Sequence, residues 1–130
     1  MYTDVVFEHF SNPRNVGTME DPDGYAKVES SACGDLMEMY IKVEDGRISD
    51  IKYRTFGCAA AIASSSIASE MIKGEPLKVA EKMSDEKIVE ALGGLPDTKR
   101  HCSILAASAL HKALQDYYEK HPEARSEAKV

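Results

Sequence analysis

Thr55-Phe56-Gly57-Cys58-Ala59-Ala60-Ala61-Ile62-Ala63-Ser64-Ser65-Ser66 runs from the end of a strand-like segment into an alanine-rich helix, with one cysteine at the joint. Upstream, Met37, Met39, Ile41 and Val43 alternate with Glu38, Tyr40 and Lys42, the period of a half-buried strand. Asp45-Gly46 marks a hairpin turn, and Ile48 to Phe56 is the returning partner, with Ile51, Tyr53 and Thr55 on one face. Tyr25 to Ser30 reads as an earlier strand. The fold class is therefore α+β: a three-stranded antiparallel sheet packed against helices in a single compact domain.

Outward from this centre the pattern is helical. Ala60, Ala63, Ile67 and Met71 recur at three- and four-residue steps, and Lys73-Gly74 followed by Pro76 supplies the stop. Leu77 to Met83 and Asp85 to Leu92 read as short helices, the second capped by Ser84, before the breaker run Gly93-Gly94-Leu95-Pro96. A last helix starts near Asp97 or Thr98, carries the stripe Ala106, Leu110, Ala113 and Tyr117, and ends at His121-Pro122. At the other end, Thr3 caps a short helix that stops before Ser11-Asn12-Pro13, and Arg14 to Glu20 wraps the surface between two turn clusters. The domain is expected over residues 1–120, with a mobile C-terminal tail at 121–130.

The 130 residues bound one domain, and 43% hydrophobic with 29% charged residues is a globular balance. A net charge of −6, without a cluster of Lys and Arg interleaved with aromatics, argues against nucleic acid as a partner. No apolar run is long enough to span a bilayer, and Met1-Tyr2-Thr3-Asp4 lacks the basic and apolar regions of a signal peptide. The expectation is a cytoplasmic protein with no membrane partner, whose three cysteines stay reduced.

All three cysteines fall at the ends of elements. Cys58 opens a helix, where unpaired N–H groups and the helix dipole favour thiolate. Cys33 lies in Ser31-Ala32-Cys33-Gly34-Asp35, and strand alternation points Cys33 and Asp35 to the same core-side face as Met37 and Met39. A carboxylate there needs a cation, a metal or backbone N–H partners. Cys102 lies in the first turns of the last helix beside His101, and Lys99 and Arg100 are expected to lower its pKa. The separations of 25 (58 − 33) and 44 (102 − 58) residues match neither a zinc ribbon nor a ferredoxin run. Ligand type says more: three thiolates with one carboxylate or imidazole suit zinc or an iron–sulfur cluster. His9, His111 and His121 carry no such pairing and read as ordinary surface or core residues.

Four ordered motifs together resemble the IscU/NifU-type iron–sulfur cluster assembly scaffolds: Asn12-Pro13-Arg14-Asn15-Val16-Gly17, Ala32-Cys33-Gly34-Asp35, Thr55-Phe56-Gly57-Cys58 with Ala61-Ile62-Ala63-Ser64-Ser65-Ser66, and Lys99 with His101-Cys102-Ser103. The resemblance runs to about Tyr118. It implies a non-enzymatic scaffold on which a transient [2Fe–2S] cluster is built from iron and persulfide sulfur supplied by a cysteine desulfurase, then passed to apo iron–sulfur acceptor proteins. By motif position, Cys33, Cys58 and Cys102 are the implied cluster thiolates, Asp35 the acid whose loss stabilises the bound cluster, His101 an alternative or nearby ligand and Lys99 an auxiliary residue. Cys102, on its cationic neighbours, is the expected sulfur acceptor. The resemblance allows a homodimer sharing one cluster, and zinc in the cluster-free form.

Leu95-Pro96-Asp97-Thr98-Lys99 departs from the Leu-Pro-Pro-Val-Lys that bacterial members present to a dedicated chaperone, so the resemblance does not extend to a chaperone contact. Two other readings use the same residues. One is a zinc-binding structural or sulfur-relay protein with a tetrahedral site. The other, a cysteine-dependent enzyme with Cys102 as nucleophile and His101 as base, lacks any oxyanion or substrate-pocket signature.

Overall fold

The computed structural model of the chain describes residues 2–30 and 34–122. Helix α1 (Asp4–Ser11) leads into a three-stranded antiparallel sheet of β1 (Gly24–Ser30), β2 (Asp35–Glu44) and β3 (Arg47–Phe56) in the order β1-β2-β3. Helices α2 (Ala59–Ile72), α3 (Leu77–Glu81), α4 (Asp85–Ala91) and α5 (Arg100–Lys120) follow, with a 3-10 turn at Asp97–Lys99 before the last. The expected α+β architecture is present, and the last helix proper starts a few residues later than expected. From residue 123 onward, the expected tail lies outside the described residues. No described helix is long and apolar enough to cross a membrane.

The hairpin between β2 and β3 turns at Asp45 (φ 53°) and Gly46 (φ 72°), two left-handed residues in succession, the geometry whose twist matches that of the flanking strands. From there the register runs Glu44↔Arg47 to Leu36↔Phe56, with an irregularity at Lys42/Val43. Met37, Met39, Ile41, Ile51 and Tyr53 all point into the core, as the alternation predicts. The opposite face departs from a simple solvated surface. Glu38 and Tyr40 are also buried, because Tyr25 Oη donates to Glu38 at 2.6 Å and Arg54 Nε donates to it at 3.1 Å. These two partners, Tyr25 first, hold the Glu38 carboxyl below its ordinary pKa. A central strand thus keeps a carboxylate under cover by hydrogen-bonding it, which the alternating pattern does not reveal.

The core lies between the inner sheet face and α2 and α5. Helix α2, 14 residues long, is mostly alanine and serine and is buried on most of its circumference, so the apolar stripe read from Ala60, Ala63, Ile67 and Met71 is only part of its contact surface. Small residues let α1, α5 and β3 approach it closely. Ser66 is the fastener on the α1 side. Its hydroxyl oxygen accepts from the Arg14 backbone N–H at 3.0 Å and lies 2.7 Å from His9 Nδ1. Arg14 then reaches Glu8 at 2.7 Å and Glu70 at 3.4 Å. The segment expected to wrap the surface does so, and it also touches the sheet through a parallel bridge between Val16 and Tyr53, with Gly17 N–H donating to Tyr53 O at 2.9 Å.

Burial, and then the nearby Arg14 charge, push the His9 pKa below 6.5, against the pull of Glu70 and Glu8. The neutral ring is the form that fits, so its contribution to stability is present above pH 6.5 and is lost as pH falls below that value. Ser66→Ala leaves the Arg14 N–H and the His9 ring without this partner and is expected to cost about 1–3 kcal/mol. A urea midpoint unchanged from the parent would refute that assignment.

Candidate metal centre

The end of β3 delivers the chain to the site. Cys58 is the N-cap of α2, with extended backbone (φ −79°, ψ 176°), and its carbonyl accepts from the N–H groups of Ala61 at 3.0 Å and Ile62 at 3.2 Å. Cys102 is the third residue of α5, and Asp35 is the first residue of β2. Two helix starts and one strand start therefore meet at one end of the sheet. Cys58 Sγ lies 3.5 Å from Cys102 Sγ, and the Cys102 thiol points to Asp35 Oδ2 at 4.0 Å. One donor atom from each of the three residues fits within 4.8 Å of the others. His101 Nε2 is 3.5 Å from Cys102 Sγ and 3.8 Å from Asp35 Oδ2.

Burial grades across this group. Cys102 is 0% exposed and Asp35 7%, whereas Cys58 is half-buried and 32% of the His101 side chain is open. Tyr2 and Leu95 pack on the small cluster of Ala60, Ala61 and Cys102. A buried and a half-buried thiol beside a partly exposed imidazole form a compact set of sulfur and nitrogen donors.

The expectation that its cationic neighbours lower the Cys102 pKa is overturned. Burial raises it first, the hydrogen bond and charge of Cys58 add to that, and Asp35 contributes further; the thiol is pushed up to about 12 although Lys99 pulls downward. At neutral pH the metal-free pocket therefore holds Cys102 as a neutral thiol. Such burial is tolerable for SH and costly for S⁻, so a thiolate here calls for a bound cation.

Gly57 turns out to matter for space. Its φ is not left-handed. A Cβ at this position would meet Ala61 Cβ at 3.0 Å and the Asp35 carboxylate at 3.1 Å. Glycine is what allows the strand-to-helix joint to pass directly over the acid.

Of the residues expected at the site, Asp35, Cys58, Cys102 and His101 are brought together. Lys99 stands at the N-cap position of α5 without a side-chain cap hydrogen bond, and its charge acts on Cys102. Cys33 lies outside the described residues. His9 instead docks α1, and His121 stacks on Tyr117. Leu95 was missed because Gly93-Gly94-Leu95-Pro96 reads as a helix breaker; Tyr2 carried no signal at all.

The chain matches the family model described as the NifU-like N terminal domain over residues 1–124. It is 59% identical over 120 residues to the iron-sulfur cluster assembly scaffold protein IscU 1 of Archaeoglobus fulgidus, covering 92% of this chain and 78% of that protein. It is 49% identical over 123 residues to the iron-sulfur cluster assembly scaffold protein IscU of Azotobacter vinelandii, covering 92% and 95%. Among solved structures, the N-terminal NifU-like protein from Brucella abortus aligns with a TM-score of 0.72 at 22% identity, over 91% of this chain and 94% of that one, a likeness of fold.

Gly57→Ala is expected to displace the Asp35 carboxylate and Ala61 and to lower stability by about 1–3 kcal/mol. Urea unfolding measures the loss, and a zinc competition titration reads the disturbed donor set. Parent-like values in both would show that the joint has room to spare.

Proposed function

The chain belongs to the NifU-like N-terminal domain family, and on that footing we propose that it is a scaffold on which an iron–sulfur cluster is assembled and from which it is passed to acceptor proteins. The observation that carries this reading is the convergence of two thiols and a carboxylate within 4.8 Å, fed by separate elements. The proposed ligands are Cys33, Cys58 and Cys102, completed by Asp35 or by His101 at the rim. The proposed cargo is a [2Fe–2S] cluster, with zinc as an occupant of the cluster-free thiolates. The proposed partners are a cysteine desulfurase as sulfur donor and apo-proteins as recipients, in a reducing cytoplasm.

Thiolates bind cluster iron well, and a carboxylate is a harder and weaker partner for it. A site with Asp35 as one donor therefore holds a cluster less firmly than four cysteines would, which suits a protein that must give it up. Cys102 is the proposed sulfur acceptor, in contact with Cys58 and with the Asp35 carboxylate.

Anaerobic reconstitution with iron, a cysteine desulfurase and cysteine, followed by transfer to an apo-ferredoxin, tests assembly and release together. A brown protein that loses its visible absorption as the ferredoxin gains its own supports the scaffold; a colourless protein that only retains zinc would favour the structural zinc site. Asp35→Ala is expected to slow transfer by about tenfold, the effect of ~1.4 kcal/mol. Transfer at the parent rate would remove Asp35 from the labile ligand set.

Because Cys102 is protonated in the metal-free pocket, its proton must leave when metal binds. Apparent zinc affinity is therefore expected to rise with pH between about 6 and 8, and Cys102→Ser to lower the slope by about one proton. A slope that is identical in the two proteins would place Cys102 outside the first coordination sphere.

A further inference from the structure

Cys102 is 0% exposed, yet two side chains packed on its cluster with Ala60 and Ala61 are themselves only half-buried. One is Tyr2, just ahead of α1; the other is Leu95, just beyond α4. The Tyr2 ring meets Phe7 edge-on with centroids 6.3 Å apart, and Phe7 is itself 53% exposed, so the covering layer is thin on that side.

A single hydrogen bond ties the two segments together. Thr3, next to Tyr2, accepts from the Val6 N–H at 3.2 Å as the N-cap of α1 and donates its hydroxyl proton to the carbonyl of Leu92, the C-cap of α4. That carbonyl belongs to the group a helix end leaves without an internal partner. Gly93 lets the segments close up: it is left-handed (φ 80°), and a Cβ there would stand 3.3 Å from Thr3 Cγ2. Tyr2 thus precedes the bond on one segment, and Leu95 follows it on the other.

We propose that Tyr2 and Leu95 form a two-leaved cover over Cys102, latched by the Thr3–Leu92 hydrogen bond, and that bulky reactants reach Cys102 only when this latch opens. The need for such access rests on the scaffold reading, in which Cys102 must meet metal or sulfur brought from outside; the latch itself does not. Its opening separates the start of α1 from the end of α4 and leaves the sheet and the α2–α5 contact intact. A unit held by one hydrogen bond and two half-buried side chains belongs to the low-stability end of local opening. Cys58 is already half-buried and needs no such step, so the two thiols differ in how they are reached.

The test labels the metal-free full chain, anaerobic and at one pH, with N-methylmaleimide or with fluorescein maleimide. The two reagents share a reactive group, so the ratio of their rates at one thiol reports crowding and cancels that thiol's own reactivity. Digestion and mass spectrometry read Cys58 and Cys102 separately. Thr3→Asp keeps an acceptor for the Val6 N–H, but a carboxylate has no proton to donate to Leu92. Thr3→Ser keeps both bonds.

In the parent, the bulky reagent is expected to lag the small one at Cys102 at least ~10-fold, and far less at Cys58. Thr3→Asp is expected to raise the bulky rate at Cys102 about tenfold, the effect of one lost hydrogen bond, with Cys58 unmoved and Thr3→Ser like the parent. Tyr2→Ala removes one leaf without touching the latch and is expected to act in the same direction; it carries the test if circular dichroism shows Thr3→Asp unfolded. A parent-like ratio at Cys102 in both variants would overturn the latch and place entry on the Cys58 side. Equal acceleration of both thiols in a folded variant would also overturn it, as general loosening. Reconstitution run alongside keeps the two ideas apart: labelling that behaves as expected without any cluster retires the scaffold alone, and a transferable cluster with unmoved labelling retires the latch alone.

Discussion

The contact between the start of α2 and the start of α5 is the constraint on which the rest turns. Helix α5 lays Cys102 against Ala60 and Ala61 in the first turn of α2, and the N-cap of that same helix is Cys58. Two thiols are thereby fixed by main-chain geometry, with little freedom left to their short side chains. The strand register supplies the third donor, since pairing Leu36 with Phe56 puts Asp35 level with the joint at Gly57. A one-residue slip of that register would turn the acid to the other face of the sheet.

Competing electrostatic effects meet at this point, and burial wins. A helix start and a nearby lysine both favour thiolate, yet full removal of Cys102 from water, together with the neighbouring thiol and carboxylate, outweighs them and keeps it protonated. The result is a pocket that is quiet when empty and responsive when a cation enters. A bound metal supplies the positive charge that the fold withholds, and the same thiols become thiolates. In the proposed scaffold Asp35 is the donor whose attachment to iron is weaker than sulfur's, and on that proposal one residue at the start of one strand governs retention and release.

Much of this was legible before any coordinates. The Asp45-Gly46 turn and the cap residues Thr3 and Ser84 specify local structure through short-range physics, and all three act as expected, while alternation over Met37–Val43 identified the core positions Met37, Met39 and Ile41 but not the burial of Glu38 and Tyr40 between them. The placing of Cys58 and Cys102 at helix starts was visible for the same reason. What stayed hidden depends on distant residues. Glu38 looks like a solvent-facing position until Tyr25 and Arg54 close over it, and Ser66 looks like helix filler until α1 arrives. The sign of the Cys102 shift was misjudged because its cationic neighbours are adjacent in sequence, whereas the burial that overrides them is built by α2, Tyr2 and Leu95.

The small-residue character of α2 joins stability to chemistry. A helix rich in alanine and serine contributes less apolar area per residue than one of leucine or phenylalanine, which weakens the hydrophobic return from burying it. In exchange, its neighbours come close enough for α1 to be fastened through Ser66 and for Cys102 to seat on Ala60 and Ala61. Larger side chains at Ala60 or Ala61 would add apolar surface and at the same time push α5, and Cys102 with it, out of reach of Cys58. The site therefore limits how well this end of the core can be packed. Polar fasteners such as Arg14–Glu70 and Ser66–His9 therefore share the work of holding α2 to its neighbours.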